Sequence, residues 1–410
     1  MASVQEVFDP RAYARVRRPL LEAETLPVWC YTSDEFYRRE VERIFMKEWN
    51  FLGRADRVPN PGDYVALNFV GVPLIIVRGM DGRVRAFANS CRHRGSRVVD
   101  GAGNCRAFKC PYHGWVYGLD GALRGAAGME EAKDFLRPSY GLVPIRLETW
   151  GGYIFVNFDE GAPSLGTFLG DMAEQLESYR CEDLVTTRRT EYELACNWKL
   201  WIENAMEEYH LPNVHKQSLN LKTFKHGTIP TRGNWDAIRE KHAGTRALLE
   251  EDKDKGFPHI KTLEGPAAEG TQYVLIYPTT MLGMTTDCVW WLETHPLGPN
   301  RMKLVVGSSF PKETVGRPDF EERIKYYYKR WDRSVDEDIK ISEVQHAGVS
   351  SPLARQGRLS HLEPLVHKIA NWVLDRALDE PRAARRAGPA GRARRRRPAR
   401  GAGRGTRRAA

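Results

Sequence analysis

Two short motifs restrict how the first half of this chain can fold. Cys91-Arg-His93 lies upstream of Cys110-Pro-Tyr-His113, and each motif pairs one cysteine with one histidine. A centre that takes its ligands from both motifs requires two loops to converge on one point. Zinc accepts two cysteines and two histidines, but zinc fingers group cysteine with cysteine and histidine with histidine. The arrangement here therefore favours a different metal centre.

In a Rieske [2Fe–2S] cluster, two cysteine thiolates hold one iron and two histidine imidazoles hold the other. The side chains of Cys91, His93, Cys110 and His113 supply that ligand set. Imidazole ligation raises the reduction potential to roughly −150 to +300 mV, which suits transfer of electrons to an oxygen-activating centre. The sequence thus predicts an electron-carrying cluster in this part of the chain.

The net charge of +9 comes from one end of the 410-residue chain. Residues 381–410 hold twelve arginines and no acidic residue, so the rest of the chain has a formal charge of −3. This tail lacks the large apolar residues of a packed core, and we expect it to be disordered. A protein that binds nucleic acid would need a basic body, so we expect no nucleic-acid partner.

The sequence has no feature of a membrane or secreted protein. No apolar run approaches the roughly 20 residues of a membrane span, and the first residues lack the apolar segment of a signal peptide. Five further cysteines are scattered along the chain, and we expect them to be reduced core residues of a cytoplasmic protein. These five are Cys30, Cys105, Cys181, Cys196 and Cys288.

Short runs of β-type residues predict an all-β Rieske domain over residues 46–162. The expected strands are 64–69, 74–77, 84–87, 115–117 and 153–158. Asp81-Gly82 and Asp120-Gly121 lie beside such runs and are strong hairpin signals. Cys91 and Cys110 therefore each lie in a loop at the end of a predicted strand, where two loops can meet at one cluster.

The pattern changes to helix in residues 163–380, which we expect to form a catalytic domain that binds a mononuclear iron. Helices are expected at 165–179, 198–210 and 318–347, and strands at 271–277, 286–294 and 302–310. The stretch 216–270 is polar and is predicted to be irregular. It is too long for an ordinary connection and is expected to cover an active site. Residues 1–45 are expected to form a helical segment that packs on this domain, with Thr32-Ser-Asp-Glu35 as a capping box.

Two histidines in the second half suit a mononuclear metal. His210 and His215 are separated by four residues, and two histidines with one carboxylate leave positions open on Fe(II) for O₂ and substrate. Both could be ordinary surface histidines, but a Rieske cluster implies a nearby electron acceptor. At about 100° per helical residue, Glu207 falls near the face of His210, and Glu208 points away. A carboxylate at that position can accept a hydrogen bond from the second ring nitrogen of His210. Glu203 lies on the same face and is the other candidate for this role.

The third ligand must come from elsewhere, and the long predicted helix offers Asp336, Glu337 and Asp338. Its apolar positions follow steps of three and four residues at Ile324, Tyr328, Trp331 and Val335. The next step lands on Asp338, whereas its two neighbours face elsewhere. A buried carboxylate is costly unless it is paired or bound to a metal, which makes Asp338 the predicted ligand.

Together these residues resemble the α (oxygenase) subunit of the Rieske non-haem iron oxygenases, also called aromatic-ring-hydroxylating oxygenases. The resemblance covers roughly residues 30–375 and includes Asn197-Trp-Lys199 and Gly357-Arg-Leu-Ser360. It implies an α+β fold class, in which an all-β Rieske domain joins a helix-grip catalytic domain. An antiparallel sheet and a long C-terminal helix surround the iron in that catalytic domain.

The resemblance also implies residue roles and partners. By this likeness Cys91, His93, Cys110 and His113 would hold the cluster, and His210, His215 and Asp338 would hold Fe(II). Glu207 would link His113 of one subunit to His210 of the next, in a homotrimer or an α3β3 assembly, although the family mostly has aspartate there. Electrons would come from NAD(P)H through a separate reductase and possibly a ferredoxin, because no G-x-G-x-x-G fingerprint follows a strand here.

The substrate is the least constrained part of the prediction. The apolar and aromatic residues expected to line its pocket are Met206, Met281, Met284 and Trp290, with Trp291 beside them. They suit hydroxylation of a small aromatic compound, which we expect, and equally suit a quaternary ammonium held by cation–π contact. The alternatives are a monooxygenase that dealkylates a betaine-like compound and, from another class, a Rieske electron carrier without oxygenase activity. A carrier leaves the histidine pair and its acid unexplained.

Overall fold

Two seven-stranded antiparallel sheets and one three-stranded sheet form the framework of the chain. The computed structural model describes residues 7–216, 218–219 and 226–378. The tail predicted to be disordered, residues 381–410, lies outside the described residues, as do the first six residues and part of the predicted cover. Among the described residues, no helix has the length and apolar character needed to cross a membrane.

The first seven-stranded sheet and the three-stranded sheet carry the two cysteine-histidine motifs. Their strands are β1 (Asn50–Arg54), β2 (Asp63–Phe69), β3 (Val72–Arg78), β4 (Val84–Ala88), β5 (Ala102–Asn104), β6 (Ala107–Lys109), β7 (Val116–Gly118), β8 (Leu123–Gly125), β9 (Pro144–Trp150) and β10 (Tyr153–Asn157). The larger sheet has the order β1-β10-β9-β4-β3-β2-β5, and β6-β7-β8 form the smaller one. Cys91 follows β4, as predicted. Cys110 lies in a loop between β6, which the sequence analysis misses, and β7, which it predicts.

The second seven-stranded sheet belongs to the C-terminal half of the chain. Its strands are β11 (Leu184–Leu194), β12 (His226–Thr228), β13 (Trp235–Lys241), β14 (Gly270–Ile276), β15 (Thr280–Met284), β16 (Val289–Gly298) and β17 (Arg301–Pro311). The order β11-β17-β16-β15-β14-β13-β12 is a series of antiparallel neighbours with β11 at one edge. The sequence predicts β14, β16 and β17 but misses the other four strands.

The stretch 216–270 is more regular than its polar composition suggests, because it contains β12 and β13. Asp236 and Glu240 on β13 are buried charges with partners. Lys368 Nζ lies 2.5 Å from Asp236 Oδ1, and Arg246 Nη2 lies 2.5 Å from Glu240 Oε1. Since paired charges can be accommodated inside a fold, hydrophobic alternation does not reveal this strand. The prediction of an irregular segment is wrong here.

Nine α-helices are found among the described residues. They are α1 (Trp29–Thr32), α2 (Asp34–Glu40), α3 (Leu165–Leu169), α4 (Met172–Gln175), α5 (Trp198–Ala205), α6 (Leu211–Val214), α7 (Lys312–Val315), α8 (Phe320–Val349) and α9 (Pro364–Ala377). Shorter 3₁₀ turns lie at Pro10–Tyr13, Leu20–Glu22, Ala55–Arg57, Arg137–Tyr140, Glu177–Tyr179, Cys181–Asp183, Glu250–Lys255 and Gly265–Ala267, and a π-helical turn lies at Val41–Phe45. The long predicted helix is confirmed as α8.

Two predicted helices are shorter than expected. The helix predicted at 165–179 breaks at Gly170, where an added Cβ would lie 1.8 Å from the carbonyl oxygen of Arg232. That close approach of two backbone segments requires glycine and interrupts the helix. The helix predicted at 198–210 ends at Ala205, so the histidine segment is not a continuation of α5.

The N-terminal helices hold α5 in place. Ser33, in place of the predicted Thr32, caps α2. Lys199 Nζ on α5 lies 2.6 Å from Glu40 Oε1 on α2, and both side chains are fully buried. Removing one partner of a buried ion pair leaves an uncompensated charge at a cost of about 3–5 kcal/mol. The pair therefore fixes α5, from which the chain runs into the histidine segment.

Candidate metal centres and active site

The two cysteine-histidine loops converge beside the small sheet. Cys91 and Cys110 are buried, and Cys91 Sγ lies 3.2 Å from the hydroxyl of Tyr117 on β7. The ring centroids of His93 and His113 are 4.5 Å apart. The structure therefore brings the four predicted cluster ligands into one place.

These four side chains fit a [2Fe–2S] cluster. The two loops repeat one hydrogen bond, in which Gly95 N–H donates to Cys91 O at 2.9 Å and Gly114 N–H donates to Cys110 O at 3.0 Å. His93 Nδ1 is buried and has no hydrogen-bond partner among the described residues. A buried nitrogen without a partner is costly unless a ligand meets it. An iron that accepts this nitrogen would remove the cost.

The environment of Cys110 favours the thiolate form, which is the form that binds metals. Burial raises the pKa of Cys110, but hydrogen bonds from the backbone N–H of Tyr112, the Cys91 side chain, the backbone N–H of His113 and the Ser96 side chain together outweigh it, and the pKa lies below its ordinary value. Four of the five other cysteines are buried thiols, as expected. Cys105 departs from the expectation because it is only half-buried, and burial raises its pKa.

His210 and His215 flank the single turn of α6, and Pro212 lies in the first turn of this helix. On α8, Asp338 Oδ1 lies 3.1 Å from His215 Nε2 and 3.6 Å from His210 Nε2. The candidate ligand atoms of the three side chains all lie within 4.8 Å of one another. Two imidazoles and one carboxylate grouped in this way suit Fe(II), with positions left open for O₂ and substrate.

A glutamate orients each histidine ring. Glu207 Oε1 contacts His210 Nδ1, and Glu337 Oε2 lies 2.7 Å from His215 Nδ1. Hydrogen bonding at Nδ1 fixes the tautomer that leaves Nε2 free for a metal. Ser218 Oγ donates to the same Glu337 carboxylate. The sequence predicts the contact of Glu207 but misses Glu337.

The predicted and observed positions of the acidic residues near the histidines differ for two reasons: the length of a glutamate side chain and the point at which a helix ends. The rival Glu203 has another partner, because Tyr31 OH donates to it at 3.0 Å. Glu208 lines the cavity although it is predicted to point away, since the rule of 100° per residue stops where α5 ends. Glu337 is adjacent to the buried stripe of α8, and its long side chain reaches the histidine. Asp336 is exposed and pairs with Lys340.

Asp338 is held as a charged group beside the two histidines. Asn204 Nδ2 donates to its Oδ1 at 3.0 Å. Burial raises the pKa of Asp338, but the hydrogen bond and charge of His215 outweigh burial, so the pKa lies below its ordinary value. A metal ligand must be deprotonated. Trp331 and Val335 are buried on the same stripe of α8, as the apolar steps predict.

A cavity opens beside the three candidate iron ligands. Its other lining residues are Trp201, Asn204, Ala205, Glu207, Glu208, Leu211, Leu219, Ile238, Tyr273, Met281, Trp290, Leu292, Arg330, Ser334 and Val335. Of the four predicted pocket residues, Met281 and Trp290 therefore line the cavity, and Met206 and Met284 do not. The predicted cover contributes Leu219 and Ile238.

Strand geometry explains the two wrong pocket residues. Side chains alternate between the faces of a strand, so Met281 and Met284, three residues apart on β15, point to opposite faces. Met284 packs with Trp291 in the hydrophobic cluster behind the sheet. Met206 follows the last residue of α5 and packs in the main core. A list of apolar residues without strand bounds cannot make this distinction.

Sequence reasoning also missed polar and aromatic residues of the cavity. Arg330 and Ser334 precede Asp338 by eight and four residues, a spacing that places all three on one helix face. That spacing is a signal in the sequence. Tyr273 on β14 and Asn204 on α5 enter the cavity through tertiary packing, for which the sequence has no local signal.

Two family models match the chain. The model described as Rieske [2Fe-2S] domain matches residues 48–139, and the model described as Ring hydroxylating alpha subunit (catalytic domain) matches residues 181–379. The choline monooxygenase of Spinacia oleracea is 30% identical over 383 residues, which cover 90% of this chain and 81% of that protein. The chain belongs to the Rieske non-haem iron oxygenases.

Two further relatives are similar over most of their length. The glycine betaine monooxygenase oxygenase subunit of Pseudomonas aeruginosa is 27% identical, with 92% of this chain and 95% of that protein covered. The solved structure of a quaternary ammonium Rieske monooxygenase matches with a TM-score of 0.73 and 26% identity, covering 87% of this chain and 95% of that one. The similarity is therefore not confined to one domain.

Membership of this family confirms several predictions. The fold class is α+β, with a Rieske domain and a catalytic domain built from a sheet and a long helix. The protein is an oxidoreductase and the terminal oxygenase component of its system, with a Rieske [2Fe–2S] cluster, a mononuclear iron and O₂ as co-substrate. The alternative of an electron carrier without oxygenase activity is wrong, because the catalytic domain is present.

Proposed function

We propose that this Rieske oxygenase is a monooxygenase that oxidises a small quaternary ammonium compound. The proposal is carried by the agreement of relatives that align over at least 87% of the chain, whose names give choline, glycine betaine and quaternary ammonium compounds. This agreement favours the betaine-like alternative over the aromatic substrate that the sequence analysis expects. A part in aromatic hydrocarbon breakdown is accordingly not proposed.

The wall of the cavity supports a cationic substrate. Trp201, Tyr273 and Trp290 contribute aromatic side chains, and an aromatic face attracts a quaternary ammonium by about 0.5–2 kcal/mol. Glu208 also lines the cavity. Aromatic rings attract a cation electrostatically, and a neutral arene does not receive this attraction.

The proposed residue roles follow from the contacts of the two centres. The cluster ligands would be Cys91, His93, Cys110 and His113, and the iron ligands would be His210, His215 and Asp338. When bound, these groups supply single electrons and activation of O₂. Glu207 and Glu337 hold the histidine rings, and Asn204 holds the carboxylate. Met281 and Leu292 form an apolar part of the wall that limits the entry of water.

Glu207 is the proposed link for electrons between subunits. Its side chain contacts His210 and is 11% exposed, and His113 is exposed at the end of a cluster loop. An exposed cluster histidine can approach a second copy, which is consistent with the inter-subunit electron transfer described for the solved relative. We therefore keep the homotrimer, or an α3β3 assembly, and a reductase with or without a ferredoxin as proposed partners. The domain bounds 1–45, 46–162 and 163–380 likewise remain proposals.

A single turnover of the reduced protein tests the substrate class. Protein with its cluster reduced is mixed with O₂ and one compound from a panel of choline, glycine betaine, carnitine, benzoate and naphthalene, and products are identified by mass spectrometry. We expect one oxygen atom to be incorporated into a quaternary ammonium compound, with an aldehyde as product or by-product. Oxidation of benzoate or naphthalene, with no change in the ammonium compounds, would refute the proposal.

A further inference from the structure

Arg330 on α8 is a buried cation in the wall of the active-site cavity. The residue is 5% exposed and belongs to the cavity lining. Its Nη1 donates to Ser334 Oγ at 3.1 Å, whereas its Nε is buried without a hydrogen-bond partner among the described residues. No carboxylate of the described residues forms an ion pair with it. Burial of such a charge is expensive unless an anion compensates it.

The unpaired polar atoms of the cavity wall are all of one kind. Trp201 Nε1 and Trp290 Nε1 are, like Arg330 Nε, buried without a partner among the described residues. All three are hydrogen-bond donors, and indole nitrogens have no acceptor function. The guanidinium carbon of Arg330 lies 5.2 Å from the centroid of the Trp290 ring. The side chains that carry two of these three donors are therefore in contact with each other. Among the described residues, the wall therefore has unsatisfied buried donors and no unsatisfied buried acceptor.

The position of Arg330 relates it to the iron site. Arg330, Ser334 and Asp338 follow one another at intervals of four residues, which places them on one face of α8. Four residues of helix rise about 6 Å. Because the guanidinium is bonded to Ser334, it reaches along the helix toward Asp338. A small molecule that contacts the guanidinium can therefore place its other end beside the candidate iron ligands.

We propose that Arg330 binds the carboxylate of the substrate, and that the substrate is a zwitterionic betaine rather than an amino alcohol. The inference rests on the proposed function and narrows it. The relatives leave this choice open, because the chain is similar both to a choline monooxygenase and to a glycine betaine monooxygenase subunit. Arg330 would hold the anionic end, and the cationic end with its oxidisable carbon would lie toward Asp338. Arg330 is thus a specificity-determining residue that does not touch the reacting atoms.

A matched pair of compounds tests the role of Arg330. Glycine betaine and choline share a trimethylammonium group and differ in a carboxylate against a hydroxymethyl group. We expect Arg330→Gln to raise the KM and the dissociation constant for glycine betaine by about 10- to 100-fold, the range of a lost charged hydrogen bond. For choline the same change is expected to be less than threefold. Carnitine extends the carboxylate series to a longer spacer.

Two further variants separate binding from folding. Arg323→Gln, on the same helix, removes a side chain that bonds Gly256 O and Asp319 outside the cavity, and it should leave the ratio of the two substrates unchanged. Arg330→Lys keeps the positive charge but lacks the planar guanidinium that binds a carboxylate with two hydrogen bonds. Its KM for glycine betaine should lie between those of the wild type and Arg330→Gln. It replaces the glutamine variant if that protein does not fold. The cluster absorbance reports folding in each case.

The outcomes distinguish this inference from the proposed function. Equal losses for glycine betaine and choline would show a merely structural role and overturn the inference. Wild-type preference for choline over all betaines would overturn it too, with the quaternary ammonium function intact. Oxidation of benzoate alone, with loss in Arg330→Gln, would overturn the proposed function and the betaine substrate, and would support only the contact of Arg330 with a carboxylate.

Discussion

The contact between Glu337 and His215 leads to a prediction about iron affinity. His215 has 2% of its side chain exposed, and its Nδ1 lies 2.7 Å from a Glu337 oxygen. Ser218 Oγ, which is 3.3 Å from the same nitrogen, is the next partner. Glu337→Ala would leave His215 with this longer contact. Glu337→Gln would keep an acceptor of similar reach but remove the charge.

The structure sets the expected size of the two effects. Loss of a group that orients a metal-binding histidine typically costs about 10- to 100-fold in metal affinity, which is about 1.4–2.7 kcal/mol. We expect Glu337→Gln near the lower bound, because the carbonyl of glutamine can still accept from Nδ1. We expect Glu337→Ala near the upper bound, because the nitrogen is buried and its charged partner is gone.

Chelator titration measures this effect. Reduced protein is equilibrated with increasing concentrations of a ferrous chelator, and the iron that remains is counted per chain, with the cluster absorbance as an internal reference. Asp336→Asn is the matched control, because Asp336 is the adjacent residue on α8 and pairs with Lys340 at the surface. Unchanged iron retention in both Glu337 variants, or an equal loss in Asp336→Asn, would refute the reasoning.

Three further predictions address stability and the tail. Burial raises the pKa of Glu203 to about 8, so the folded chain keeps a proton that the unfolded chain releases above about pH 4.5. The free energy of unfolding should therefore fall by a few kcal/mol as pH rises from 5 to 8, and Glu203→Gln should flatten this fall in urea titrations. Gly283→Ala would place a Cβ 2.1 Å from the Trp290 ring; it should destabilise by about 1–3 kcal/mol and raise the KM, whereas Gly227→Ala, with no atom within 4 Å, should do neither. Deletion of residues 381–410 should leave turnover unchanged, and a loss of turnover would show that the tail takes part in function.

The cluster loops were predictable because their information is local. Cys91, His93, Cys110 and His113 lie in two short motifs, and hairpin signals place each motif in a loop at the end of a strand. Asp338 could be predicted from one helix, because its position follows from the apolar steps of α8. The cluster ligands are close together in the sequence, and Asp338 lies on a regular element of known period.

The remaining parts of the site depend on where elements end. The helix that is expected to continue through His210 ends at Ala205. The prediction that Glu208 points away from the site assumes this continuous helix and is therefore wrong. Met281 and Met284 could be separated only by the bounds of β15, which tell which face each side chain takes. The sequence analysis missed β13 because this strand carries buried charges, which are neutralised by partners outside the strand. Tertiary pairing of this kind leaves no period in the sequence.

The central claim is that one chain carries both a Rieske cluster and a separate catalytic iron held by His210, His215 and Asp338. Counting iron in the wild type and in His210→Ala, with the visible spectrum of the cluster recorded on the same samples, tests it most directly. The account predicts three irons per chain in the wild type and two in the variant, with an unchanged cluster spectrum and no product formed. Two irons in the wild type, or substrate oxidation by the variant, would contradict it.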